Sequence, residues 1–256
     1  MSGGAYVFTL GRVPYREALE LQRSLAAAVS QGAIPDTVIF LEHPPVVTLG
    51  RRTGSEELHV PDGVHVEVVE TDRGGKSTYH GPGQLVCYPI LDLRRHGQDV
   101  RKYCRDLEEA LIRTLAAFGL DGRRIDGLTG IWLTSPPRKI ASIGVHVARW
   151  ITTHGYALNV DLDPAPFTEW ITACGLGDAA FTTMASELGR PLTLEEVRPH
   201  AVEAFAATFE LVFEPLPAGE DAGLWPQPIH EKVSARPTHS TRAGEAAGIE
   251  QVVMRS

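Results

Sequence analysis

Among the side chains of this sequence, Cys174 is the best placed for nucleophilic chemistry. It precedes Gly175 and sits among small residues, while Cys87 lies in a continuous apolar run and Cys104 beside the apolar stripe of a helix. The latter two read as packed core thiols. A free thiol titrates near about 8.5, so a nucleophilic Cys174 needs a cation or base beside it. Lys139 is the candidate. It opens a strand of otherwise small or apolar residues, and an ammonium turned into a cavity there would favour a neighbouring thiolate. The opposing reading is a lysine whose amine snorkels to solvent. His80, His154 and Asn159 are further polar candidates, and as isolated residues they more often serve structure. Neither histidine has a metal-like partner at i+2 or i+4, so no metal site is expected.

The stretch 72–91, DRGGKSTYHGPGQLVCYPIL, has a different chemical potential. Gly74 and Gly75 lack a Cβ and let backbone approach a ligand closely. Pro82, between Gly81 and Gly83, sets a sharp turn before Leu85 to Tyr88, which reads as a buried strand. Backbone N–H groups exposed in such a loop suit a carbonyl, carboxylate or phosphate. Arg73, Thr78 and His80 place more polar groups on one bend than a plain hairpin connection needs.

The elements that must position these groups follow from periodicity. Strands are expected at 6–10, 36–42, 46–49, 64–70, 131–133, 139–147 and 151–160, the last two joined by a tight turn at 148–150. Helices are expected over 15–30, where Ala18, Leu21, Leu25 and Val29 share a face, and over 99–118. A third is expected over 193–209, with a capping box from Thr193 and Glu196. A short helix is expected over 166–173. Strands and helices do not alternate in βαβ fashion, so the expectation is α+β: a mixed or antiparallel sheet with flanking helices on one side. From residue 217 onward Pro, Gly, Ala and Ser dominate, which predicts one domain over 1–216 and a flexible tail over 217–256.

With 43% hydrophobic residues the chain can bury a core, and no apolar run reaches the roughly 20 residues of a membrane span. A net charge of -8 argues against nonspecific nucleic-acid binding. Three widely spaced cysteines are not a disulfide framework, and they fit a reducing compartment. The N-terminus lacks the basic and apolar regions of a secretory signal, so a cytoplasmic location is expected.

Arg73-Gly74-Gly75, Thr78, His80, Gly83 and Gln84 resemble the R-G-G-x-x-T-x-H-x-x-G-Q signature of the lipoyl(octanoyl) transferases. Lys139-Ile140-Ala141-x-Ile143-Gly144, His154-Gly155-x-Ala157-Leu158-Asn159 and Cys174-Gly175 are similar to that family's later blocks, in the same order. The resemblance implies the catalytic fold of biotin and lipoate protein ligases. It implies transfer of an octanoyl group from octanoyl-acyl carrier protein to a lysine ε-amine. The acceptors would be lipoyl domains of 2-oxoacid dehydrogenase complexes and the glycine cleavage H protein. It also implies a Cys174/Lys139 dyad, no cofactor and a monomer. Arg73, Gly74, Gly75, Lys76, Ser77, Thr78, Tyr79 and His80 would line the acyl pocket with Ser142, Ile143, Gly144, Gly155, Tyr156 and Ala157, supported by His154 and Asn159. Arg51, Arg52, Arg94, Arg95, Arg101, Lys102 and Arg138 are candidates for docking acidic protein substrates. Three rivals remain: an ATP-dependent lipoate or biotin ligase, which needs no cysteine nucleophile; a non-catalytic acyl-binding module; and a cysteine hydrolase.

Overall fold

The computed structural model of the chain describes residues 3–54, 58–171 and 180–215. It opens with β1 (Gly3–Arg12), α1 (Tyr15–Ser30) and β2 (Asp36–Glu42), and β1 pairs with β2 in parallel. Pro14 stands at the head of α1, where a missing N–H costs no helical bond. A small sheet follows, in the order β4-β3-β5, from β3 (Val46–Leu49), β4 (Glu67–Glu70) and β5 (Thr78–His80). Then come β6 (Gln84–Ile90), α2 (Val100–Ala116), β7 (Arg123–Ile125), β8 (Leu128–Thr134), β9 (Pro137–Ala148) and β10 (Ile151–Asn159). The described chain ends with α3 (Pro166–Glu169), β11 (Ala180–Phe181), α4 (Met184–Leu188), α5 (Leu194–Phe209) and β12 (Leu211–Phe213). The large sheet runs β12-β1-β2-β6-β10-β9-β8-β7, with β11 added against β9.

Side chains alternate across this sheet and feed two cores. Val38 and Phe40 of β2, with Leu85 and Cys87 of β6, pack toward α2 and α5 through Leu107, Leu111, Val202 and Phe205. Their neighbours Ile39, Leu41, Val86 and Tyr88 pack toward α1 through Ala18, Leu21 and Leu25. Helices therefore cover both faces, which corrects the one-sided expectation. The β1–α1–β2 unit likewise corrects the expectation of no βαβ connection. Both corrections have one cause. β2 and β6 are unbroken apolar runs, and a strand buried on both faces needs a cover on each.

Smaller differences are local. The strand expected over 64–70 begins only at Glu67, after a turn in which Gly63 takes φ 84°. The helix expected over 166–173 ends at Glu169. The tight turn is present, with Arg149 and Trp150 both at positive φ, as a two-residue hairpin of the primed kind requires. The Thr193–Glu196 capping box is formed. Among the described residues no helix is long and apolar enough to cross a membrane. The expected tail at 217–256 lies outside the described residues.

Candidate active site

A cavity of about 270 Å³ is lined by the large sheet, Tyr15 at the start of α1, the 73–78 loop, Cys104 of α2 and the β7–β8 turn at Gly127 to Thr129. Cys104, expected as a packed core thiol, is half-buried and reaches this cavity. The loop is held in place largely by Arg73. Its Nη2 donates to the Thr48 carbonyl at 2.8 Å and to Thr48 Oγ1 at 2.7 Å. Its Nη1 donates to the Lys76 carbonyl at 2.7 Å and more weakly to that of Gly74 at 3.2 Å. The guanidinium is thus a strut that bends the loop back on β3 (Val46–Leu49), and five rigid donors suit that task. The Gly74 N–H donates to the Val145 carbonyl at 2.9 Å, tying the loop to β9. A Cβ on Gly144 would sit 3.0 Å from the Gly74 carbonyl, so this close approach uses glycine on both sides.

Lys139 is buried, at 2% exposure, which excludes the snorkelling reading. A β-bulge aims it. Trp132 faces Lys139 while Ile131 faces Ala141, so Ile140 is an extra residue on β9. The Lys139 ammonium lies 5.4 Å from the Trp132 ring centroid, a cation–π distance.

A chain of amides connects this lysine to the loop. The Thr182 N–H donates to the Lys139 carbonyl at 3.0 Å. The Thr182 carbonyl accepts from Asn159 Nδ2 at 3.1 Å, so Asn159 Oδ1 is left to accept from Gln84 Nε2 at 3.0 Å. Gln84 Oε1 must then accept from His80 Nδ1, at 2.7 Å. A carbonyl at one end fixes every orientation along the chain, and it leaves His80 with a bare Nε2. Burial pushes the His80 imidazole well below its usual pKa, so it stays neutral.

His154 bonds Asp72 through Nε2 at 2.7 Å, just before the loop. That contact holds Asp72 far below the ordinary carboxylate range, while burial lowers His154. His154 takes φ 57°, a left-handed conformation, and its own N–H donates to the Gln22 side chain on α1 at 2.7 Å. His43 lies deeper, fully buried, between the Val13 carbonyl and the Tyr88 hydroxyl, each at 2.7 Å. Burial lowers its pKa to about 4.

A family model described as the lipoyl protein ligase A/B catalytic domain matches residues 14–206. An octanoyltransferase of Chloroflexus aggregans is 46% identical over 210 residues, spanning 80% of this chain and 95% of its own. One of Mycobacterium tuberculosis is 51% identical over 213 residues, spanning 82% and 88%. The chain belongs to the octanoyltransferase family. Two solved structures show the same fold at low identity. One is a lipoate-protein ligase A bound with ATP (TM-score 0.66, 18% identity, 92% and 97% of the two chains). The other is a bi-partite lipoate protein ligase of Thermoplasma acidophilum (TM-score 0.66, 17% identity, 91% and 93%).

For this octanoyltransferase-family chain, most residues singled out from the sequence surround one cavity. Arg73 to Thr78, His80, Lys139, Ser142, Ile143, Gly144, His154, Gly155, Tyr156 and Ala157 all line it. Tyr79 does not. Alternation on β5 turns it away from the face of Thr78 and His80, into rings of Phe167 and Trp170 at 5.7 and 5.5 Å. Asn159 does not line the cavity; its Oδ1 accepts from Gln84. Cys174 and Gly175 lie outside the described residues. Sequence reasoning missed Tyr15, Val86 and Tyr88, which also line the cavity, and Asp72 and His43, which hold its parts. The one local signal at His43 is its place before Pro44 and Pro45, which marks a strand end and no more.

Proposed function

We propose that this chain transfers an octanoyl group from the thioester of an acyl carrier protein to the ε-amine of a lysine on a lipoyl domain, a step of lipoate biosynthesis. The observation that carries the reading is the 46–51% identity to octanoyltransferases over four fifths of the chain. Lys139, buried at the cavity wall, supports it, and so does the cavity's size. Lipoyl domains of 2-oxoacid dehydrogenase complexes and the glycine cleavage H protein are the proposed acceptors.

In this proposal Lys139 takes the proton of Cys174, and the thiolate attacks the donor carbonyl. The tetrahedral adduct collapses, expelling the carrier thiol, which receives the proton back from Lys139. The result is an octanoyl thioester on Cys174. One thioester replaces another, so little bond energy is at stake. The acceptor amine then attacks this thioester and gives its proton to Lys139, and the Cys174 thiolate leaves. Net, a thioester and an amine become an amide and a thiol. No ATP is consumed, unlike in a ligase. Loop N–H groups near Gly74 and Gly75 are the proposed donors to the oxyanion.

The test is a reconstituted reaction of octanoyl-acyl carrier protein and a lipoyl domain without ATP. Octanoyl-lysine on the acceptor, seen by mass, is the expected result. Labelling only when ATP and free octanoate are added would replace the transferase by a ligase.

A further inference from the structure

Strand register gives the cavity a length scale. On β6, Gln84, Val86 and Tyr88 share the face toward α1, because side chains alternate. Gln84 pairs with Asn159, and Val86 pairs with Ala157, which in turn faces Ser142 on β9. One step further, the register brings Tyr88 level with the Gly155–Gly144 pair. The first row is tied through Thr182 to Lys139. Four residues of strand separate Gln84 from Tyr88, about 13 Å at about 3.3 Å per residue. An extended octanoyl group spans about 9 Å from carbonyl to methyl, given C–C bonds of about 1.5 Å. With its carbonyl near the Lys139 row and a methyl radius added, it ends against Tyr88.

Tyr88 is held where a wall would be needed. The Val13 carbonyl can only accept, so His43 Nδ1 carries the proton and His43 Nε2 accepts from the Tyr88 hydroxyl. This bond draws the one polar atom of Tyr88 out of the cavity and leaves ring carbon facing the chain. Tyr15, also on the cavity wall, sits with its ring 5.1 Å from that of His43. Both tyrosines are buried. We propose that Tyr88, pinned by His43 and flanked by Tyr15, is the end wall that limits the transferred chain to eight carbons. This rests on the octanoyl-transfer reading above.

The test measures kcat/KM with six-, eight-, ten- and twelve-carbon acyl-carrier donors for the unaltered chain, Tyr88→Leu, Tyr15→Leu and Tyr88→Phe. Each buried methylene is worth about fourfold in binding. Tyr88→Leu should therefore raise the decanoyl-to-octanoyl ratio by about 15-fold. Tyr88→Phe keeps the ring but loses the bond to His43, so it should move the ratio less than Tyr88→Leu does; a rise as large as that of Tyr88→Leu would show that the ring itself is not the wall. An unaltered chain that prefers octanoyl, with the ratio unmoved in both leucine variants, overturns the wall and leaves the transfer reading intact. An unaltered chain that transfers no acyl group at any length contradicts the transfer reading and the wall with it. A second measurement needs no variant. An octanoyl donor carrying a terminal diazirine, photolysed on the unaltered chain, should label Tyr88 or Tyr15. Labelling confined to other residues overturns the proposal.

Discussion

At the residue scale the proposed chemistry turns on Lys139. Its amine is enclosed beside Trp132, and in the proposed chemistry it exchanges a proton with Cys174. Lys139→Ala should lower kcat/KM for transfer by about 10²- to 10⁴-fold, the usual span for a lost acid–base group. Lys139→Arg should not restore it, since a guanidinium does not give up its proton. An alanine variant within about tenfold of the unaltered chain would remove Lys139 from the chemistry. The buried histidines make a second prediction. His43 titrates near 4 in the folded chain and near the usual 6.5 when unfolded. Between those values the unfolded chain takes up a proton that the folded chain refuses, so stability falls as pH falls through that window. His43 alone contributes about 3 kcal/mol of that loss, and His80 and His154 are shifted in the same direction. Urea unfolding at pH 7 and pH 4.5 should show it; equal midpoints would contradict the neutral cluster. Lys139, His80 and His154 were legible in the sequence as polar residues in apolar or glycine-rich surroundings. The His43–Tyr88 bond was not, because its partners lie 45 residues apart and only the pairing of strands brings them together.

At the element scale the site depends on how β8, β9 and β10 are aligned. Gly130 on β8 shows the tolerance. It takes φ 104°, and a Cβ there would run into the Ala141 carbonyl and come within 2.8 Å of Lys139 Cε. Gly130→Ala should cost about 1–2 kcal/mol in backbone conformation alone and should also displace the lysine. The expected result is a lower melting temperature with transfer reduced beyond what the folded fraction explains. Full activity per folded molecule would show that the lysine does not need its bulge geometry. Most strands and helices could be read from periodicity, since β2, β6 and α2 carry strong local patterns. Their order in the sheet could not. Nothing local tells β6 (Gln84–Ile90) to lie between β2 and β10, and nothing in Ile140 marks it as an extra residue. The unbroken apolar runs of β2 and β6 did carry the two-sided burial, and the one-sided expectation undervalued them.

At the scale of the whole molecule, the proposed reaction brings a chain of charge -8 to acidic protein substrates, so attraction between them would have to be local. The structure narrows the basic residues singled out from the sequence. Arg94 pairs with Asp92, Arg95 with Asp36, Lys102 with Asp106 and Arg138 with Glu187. Arg51, Arg52 and Arg101 are exposed, Arg52 lines the cavity, and none of the three has a side-chain ion pair among the described residues; Arg51 and Arg52 are the pair beside the site. Replacing both by glutamate should raise KM for the carrier protein about tenfold at low salt, with kcat unchanged and the salt dependence flattened. An unmoved KM would place the docking surface elsewhere. The central claim is the covalent intermediate on Cys174, and intact-protein mass spectrometry after mixing with octanoyl-acyl carrier protein tests it most directly. The expected result, without ATP, is one hydroxylamine-labile octanoyl adduct that maps to Cys174 and is absent in Cys174→Ala. Transfer to the lipoyl domain that proceeds normally in Cys174→Ala, with no adduct in the unaltered chain, would contradict it.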